Sequence, residues 1–210
     1  MSGGGPLLLG IDCSTTHLAL AVVDPGSGTL AATSDDVGRA HAALVVEALA
    51  ALLRASGAAA RDFAAVGVGV GPGSYTGVRV GVATALGIAR AWDVRCVGVS
   101  SLAAMPAALV APSARVVAAS DARRGNAYAQ LLERRDPQPW AVSYAELEAP
   151  RKLARSELAT AYPGVPLLEY GTVVAANGTA TPVVPEASAL AWGAAGAAGG
   201  ADEPPKPHYL

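Results

Sequence analysis

Lysine is nearly absent: Lys152 and Lys206 are the only two in 210 residues, charged residues make up 15% of the chain, and the net charge is −2. Affinity for nucleic acid rests largely on neutralising phosphates, so this balance argues against strong autonomous binding of RNA or DNA. A local arginine patch remains open. Cysteine is equally scarce. Cys13 and Cys96 each stand in an apolar run, with no Cys-x-x-Cys or His-x-x-x-His spacing, and His17, His41 and His208 are the only histidines. Two small buried hydrophobes are the plain reading, ahead of a disulfide or a metal site. The opening "MSGGGPLLLGID" has neither a basic n-region nor a long apolar core, as a secretory signal requires. No run reaches the roughly 18 uncharged apolar residues of a membrane span. A reducing cytoplasm, with no membrane partner, is the expected setting.

What the chain does have is apolar bulk, 52% of its residues, in a length that fits one large domain or two small ones. "PLLLGIDCS", "LALAVVD" and "GTLAATSDD" read as three strands joined by tight turns, hence antiparallel. From Arg39 to Ser56 the apolar residues His41, Val45, Ala48, Leu49 and Leu52 recur at helical spacing, and Gly57 ends the helix. "FAAVGVGV", "TGVRVGVATALGIARAW" and "VRCVGVS" then form a strand–helix–strand unit, which implies a parallel crossover. Further on, "ARVVAASDA" and "GNAYAQLLE" read as a hairpin around Arg123-Arg124-Gly125. "SYAELEAPRKLARSELA" reads as mixed helix and loop, "VPLLEYG" and "TPVVP" as short strands, and "EASALAWGAAGAA" as a last helix before a proline-rich tail. The expected class is α/β: a first lobe over 1–108, a smaller one over 109–186, and a helix and tail over 187–210 that return to the first lobe.

The stretch "GVGVGPGSYTGVRVGVATALGIARAWD", residues 67–93, invites comparison with phosphate-binding loops. It has no Gly-Lys pair, as a Walker loop needs, and Ser74 stands where a dinucleotide fingerprint requires its third glycine. What remains is generic: Gly73, Ser74, Tyr75 and Thr76 lie at a helix start, which favours anions. Asp12, followed by Ser14, Thr15 and Thr16, can position a phosphate or a metal-bound water, or can equally serve its own turn. Asp121 poses the same alternative. His41 is either a base or a structural histidine, and Arg123 and Arg124 either grip an anion or form an exposed turn.

At these residues the chain resembles the TsaB family, also called YeaZ. The resemblance rests on "LLLGIDCSTTHLALAVVD", "RAHAALVVEALAALL", "SDARRGNAYAQL", a "PHYL" ending and, above all, Gly71, Pro72, Gly73, Ser74, Tyr75, Thr76, Gly77 and Arg79 in the Gly-Pro-Gly-Ser-Tyr/Phe-Thr-Gly-x-Arg segment. Asn126 departs from the glutamate common in the family's Ala-Arg-Arg-x-Glu-Val-Tyr turn. The resemblance implies an actin-like (ASKHA) fold of two ribonuclease-H-like lobes with mixed sheets. It also implies a place in the bacterial machinery that makes N6-threonylcarbamoyladenosine at position 37 of tRNA. There a catalytic paralogue, TsaD, holds the metal, an ATPase, TsaE, joins, and TsaB is a non-catalytic scaffold that meets tRNA only indirectly. No catalytic or metal-binding residue is expected in this chain.

The residues themselves agree with a degenerate member. Actin-like nucleotide sites use Asp-x-Gly turns so that backbone amides approach phosphate, yet Asp12 is followed by Cys13-Ser14 and Asp121 by Ala122-Arg123, with no glycine in either turn. At most weak ATP or ADP binding through Asp12, Ser14, Thr15 and Asp121 is expected, and no cofactor is required. An active ATPase or kinase, or a glycoprotease-like peptidase, is the alternative. The helix after the glycine loop is apolar nearly all round, and Gly77, Gly81, Ala85 and Ala89 form a smooth ridge at spacing i, i+4. That ridge, with Thr76, Val80 and Thr84, and with His41, Val45, Val46, Leu49 and Leu53 of the first helix, reads as a partner interface for a TsaD-type paralogue. A homodimer is compatible with the same surface. Gly71, Pro72, Gly73, Ser74, Tyr75 and Arg79 read as the structural loop that positions it.

Overall fold

The continuous apolar runs in "LLLGID" and "HLALAVVD" give two strands buried on both faces, β1 (Leu7–Asp12) and β2 (His17–Asp24). The computed structural model describes residues 6–138, 141–176, 179–196 and 205–207. β3 (Gly28–Asp36) continues the antiparallel meander. Helix α1 (His41–Ser56) follows and ends at Gly57, whose φ of 69° is the left-handed conformation glycine adopts without strain. β4 (Phe63–Gly69), α2 (Tyr75–Trp92) and β5 (Arg95–Val99) make the crossover, and both β4 and β5 join in parallel. The sheet order is β3-β2-β1-β4-β5.

The two faces of this sheet carry different partners. Leu9, Ile11, Leu18, Leu20, Val22, Val66 and Val68 pack under α1 and α2, with Val45, Leu49, Leu52, Val78 and Val82. Leu8, Ala19, Ala21, Val23 and Ala65 lie on the opposite face, covered by the last helix, α4 (Ala187–Gly196), through Ala187, Ala191 and Trp192. The small residues there are a condition of that packing. A Cβ on Gly10 would stand 1.9 Å from the Ala187 carbonyl oxygen, and one on Gly67 would stand 2.1 Å from that of Leu190. Pro205 lies against Gly98 of β5. His208 and the end of the tail lie outside the described residues.

The second lobe is a mixed sheet of β6 (Arg115–Asp121), β7 (Asn126–Gln138), β8 (Ala141–Glu146), β9 (Arg151–Ala154) and β10 (Leu167–Glu169), with a separate hairpin of β11 (Val173–Ala176) and β12 (Thr179–Pro182). β10 runs parallel to β6, while β8 and β9 pair with the two halves of β7. The segment read as mixed helix and loop also holds two strands, the end of β8 and all of β9, before its helical part. A turn at Arg155–Glu157 and the single-turn helix α3 (Leu158–Ala161) make up that helical part. Pairing along the long β7 overrides the helix propensity of Ala, Leu, Glu and Arg in that stretch. A buried polar cluster ties the lobes together. The Ser100 hydroxyl donates to Gln130 Oε1 at 2.5 Å, and Gln130 Nε2 donates to Glu146 Oε2 at 2.9 Å. Leu102 and Met105, just past Ser100, enter the second core with Val116, Leu132 and Ala189.

Candidate functional site

The glycine loop spends three of its amides within the protein. The Gly71 amide donates to Ser101 Oγ at 3.0 Å, the Ser74 amide to the Ser14 carbonyl at 2.6 Å, and the Gly77 amide to Ser74 Oγ at 3.3 Å. Ser74 thus caps α2 with its side chain, as an N-cap serine does. A phosphate cradle needs these amides free and pointing at the ligand. Gly73 faces the backbone of Ser14, where a Cβ would come within 2.4 Å of its carbonyl oxygen. Pro72 is buried and follows a cis peptide bond, and the Arg79 guanidinium lies over the Tyr75 ring at 4.0 Å.

Asp12 is fully buried at the end of β1. Its Oδ1 accepts from the Ser14 amide at 2.8 Å and the Ser14 hydroxyl at 2.7 Å, while Oδ2 has no hydrogen-bond partner among the described residues. Burial pushes this carboxyl above the ordinary aspartate range, against the smaller opposing pull of the Ser101 and Ser14 hydroxyls. Gly69 makes room for it, since a Cβ there would lie 1.9 Å from Oδ2. Thr15 Oγ1 accepts from the His17 amide at 3.0 Å. In the other lobe Asp121 Oδ1 accepts from Arg155 Nη2 at 3.0 Å and from the Arg123 amide at 3.2 Å, and Arg155 also grips Glu169. Both turn aspartates are therefore engaged within the protein. His41 is buried with Nε2 3.1 Å from the His17 carbonyl, which pins the start of α1 to β2 and is a structural role.

The ridge on α2 faces inward, which corrects its reading as an outer surface. Gly77, Gly81, Ala85 and Ala89 are buried, and a Cβ on Gly77 would stand 2.0 Å from the Cys13 carbonyl oxygen. The close contact that glycine serves is thus with the end of the protein's own β1. His41, Val45 and Leu49 likewise belong to the inner face of α1 and are unavailable to a partner. The remaining residues of that set lie farther out. Val46 is 70% exposed, Thr76 is exposed, and Leu53, Val80 and Thr84 are half-buried. Ala43 and Ala50 of α1 and Ala83 and Gly87 of α2 stand on the same outward faces, interspersed with the exposed Glu47, Arg54, Arg79 and Arg90. Among the described residues Val46 is the most exposed large hydrophobic.

Comparison with known proteins places this geometry. A family model described as "TsaD: tRNA N6-adenosine threonylcarbamoyltransferase" matches residues 34–187. The tRNA threonylcarbamoyladenosine biosynthesis protein TsaB of Escherichia coli is 33% identical over 135 residues, 63% of this chain and 58% of that protein. The chain belongs to the TsaD-like family, in its TsaB (YeaZ) branch. TsaB of Haemophilus influenzae and of Bacillus subtilis are 34% and 32% identical, over 58% and 60% of this chain. The matches thus span little more than half of these relatives, 51% and 55% of the last two. Two solved structures from Pseudomonas aeruginosa carry the fold over nearly the whole length. YeaZ has a TM-score of 0.74 at 24% identity, covering 98% of this chain and 100% of that one. An uncharacterized protein with similarity to peptidase YEAZ has a TM-score of 0.75 at 26% identity, covering 98% and 99%. The mixed five-stranded sheet with helices on both faces and a second mixed sheet is the actin-like, two-lobed architecture of this branch. Among the described residues no three His, Cys, Asp or Glu side chains cluster as a metal site, and no helix is long and apolar enough to cross a membrane.

Proposed function

We propose that this TsaB-branch chain is a non-catalytic scaffold that docks a TsaD-type transferase for N6-threonylcarbamoyladenosine formation at position 37 of tRNA, with a TsaE-type ATPase joining the pair. The observation that carries the reading is Val46, the most exposed large hydrophobic among the described residues, on the outward side of α1. The exposed apolar side chains there stand beside Glu47 and Arg54 on α1 and Arg79 and Arg90 on α2, the mix of apolar and charged groups found at protein interfaces. A helical partner face is the natural complement, since small residues at Ala43, Ala50, Ala83 and Gly87 permit close approach. The engaged amides of the glycine loop and the paired Asp121 support the non-catalytic part, because they leave phosphate no ready-made cradle. The names of the curated TsaB relatives support the tRNA pathway.

The test is reconstitution. Threonylcarbamoyl transfer to tRNA is measured with a TsaD-type transferase and a TsaE-type ATPase, with and without this chain. Transfer that depends on the chain, with negligible ATP turnover by the chain alone, is the expected result. Transfer indifferent to the chain, or a steady ATPase lost on Asp12→Ala, contradicts the proposal.

A further inference from the structure

The hairpin turn between β6 and β7 has an unusual backbone. Arg123 and Arg124 hold φ of 63° and 53°, followed by Gly125 at 78°. Left-handed conformations crowd the Cβ of any L residue and are normally given to Gly, Asn or Asp. Asn-Gly is the ordinary solution for two such positions in a tight hairpin. This turn instead keeps two long side chains at the strained positions. It is also firmly built. The Arg123 carbonyl accepts from the Asn126 amide at 3.1 Å and from Asn126 Nδ2 at 3.3 Å, and the Gly125 carbonyl accepts from the Arg155 amide at 3.0 Å. Asn126 therefore serves the turn itself.

The charge around it is as uneven as the backbone. Every other arginine of the second sheet faces a carboxylate: Arg115 and Arg135 face Glu133, Arg134 faces Asp136, Arg151 faces Glu148, and Arg155 faces Asp121 and Glu169. Arg123 and Arg124 are exposed, and among the described residues neither guanidinium has an acidic partner. Asp121, the nearest acid in the chain, is held by Arg155, so it leaves the two positive charges at the tip uncancelled. A rigid, strained turn that presents two unpaired guanidinium forks is suited to the phosphodiester oxygens of a nucleic acid.

We propose that the Arg123-Arg124 turn binds the phosphate backbone of RNA directly, in place of the indirect contact the resemblance implies, as part of a footprint completed by the transferase. The proposal rests on the function proposed above for its choice of tRNA as the ligand. Two phosphate contacts give only weak affinity by themselves, consistent with a net charge of −2 for the whole chain.

The decisive variant is Arg123→Asn with Arg124→Gly, which suits the backbone and removes both charges. It is expected to melt at least as high as the parent, because the strain is relieved. In the reconstituted complex its KM for tRNA rises several-fold while kcat stays unchanged, and the salt dependence of tRNA binding loses about two units of slope. Arg123→Lys with Arg124→Lys retains charge and strain, and recovers most of the slope. A melting temperature that rises with KM and slope unchanged overturns the proposal. If the parent complex binds tRNA with arginine-dependent salt sensitivity yet transfers nothing, the scaffold reading fails and the arginine assignment stands. If it transfers with no change on substitution, the reverse holds.

Discussion

Gly77 and Gly81 stand one turn apart on the same buried face of α2, and replacing each by alanine should move stability in opposite directions. In a helix interior, Gly→Ala gains about 1 kcal/mol from propensity alone. At position 81 the added Cβ meets Cys13 Cβ and Sγ at 3.5 Å, an ordinary contact, so the gain is kept. For a chain of this size it raises the melting temperature by about 2–4 °C. At position 77 the Cβ falls 2.0 Å from the Cys13 carbonyl oxygen. A carbon–oxygen contact relaxes only near about 3.3 Å, so α2 or the end of β1 must shift by more than an ångström. A backbone oxygen cannot rotate away as a side chain can. Overpacking of this kind costs about 1–3 kcal/mol, and here the upper end outweighs the propensity gain. Gly77→Ala should therefore melt several degrees lower. Calorimetric melts of the two variants beside the parent decide the matter. Two shifts of the same sign would refute the inward orientation of the ridge.

Three other outcomes follow from the same geometry. Val46→Glu should leave the melting temperature within about 2 °C of the parent, since exposed substitutions act weakly, yet abolish co-elution with a TsaD-type transferase; unchanged co-elution would remove the docking face. Asp12→Asn should be more stable than the parent at pH 7, because Oδ1 can still accept from Ser14 and no charge is buried. The parent's folded carboxyl titrates above its unfolded value of 3.8, so its stability is full below that value and is lost as pH rises through the folded one, by about 1.4 kcal/mol for each pH unit separating the two. Melts from pH 4 to 8 should show the gap between the two proteins closing toward pH 4, and a constant gap would contradict the assignment. Titration calorimetry of the isolated chain with ATP should show no submicromolar binding, and tight binding would mean that the loop amides rearrange to receive phosphate.

Much of the first lobe is legible in the amino-acid sequence. The apolar runs "LLLGID" and "HLALAVVD", the helical recurrence of Val45, Leu49 and Leu52, and Gly57 as a stop are local signals, and each reports a local preference. The direction of the glycine ridge is different in kind. Spacing shows that Gly77, Gly81 and Ala85 share one face, but whether Cys13 or a partner meets that face depends on a contact distant in sequence. The same reason hides β8 and β9, whose pairing with β7 is tertiary, and the capture of Asp121 by Arg155. Gly10 and Gly67 read as ordinary strand glycines until α4 is seen lying across them. Arg123 and Arg124 are visible as a charged turn, whereas their left-handed backbone and lack of acidic partners appear only in three dimensions.

Hydrogen–deuterium exchange on this chain, with and without a TsaD-type transferase, tests the docking claim most directly. Added protection should concentrate in α1 around Ala43–Leu53 and α2 around Thr76–Gly87, with the β3 edge unchanged. Protection confined to the second lobe or to β3, or none at saturating transferase, would contradict it.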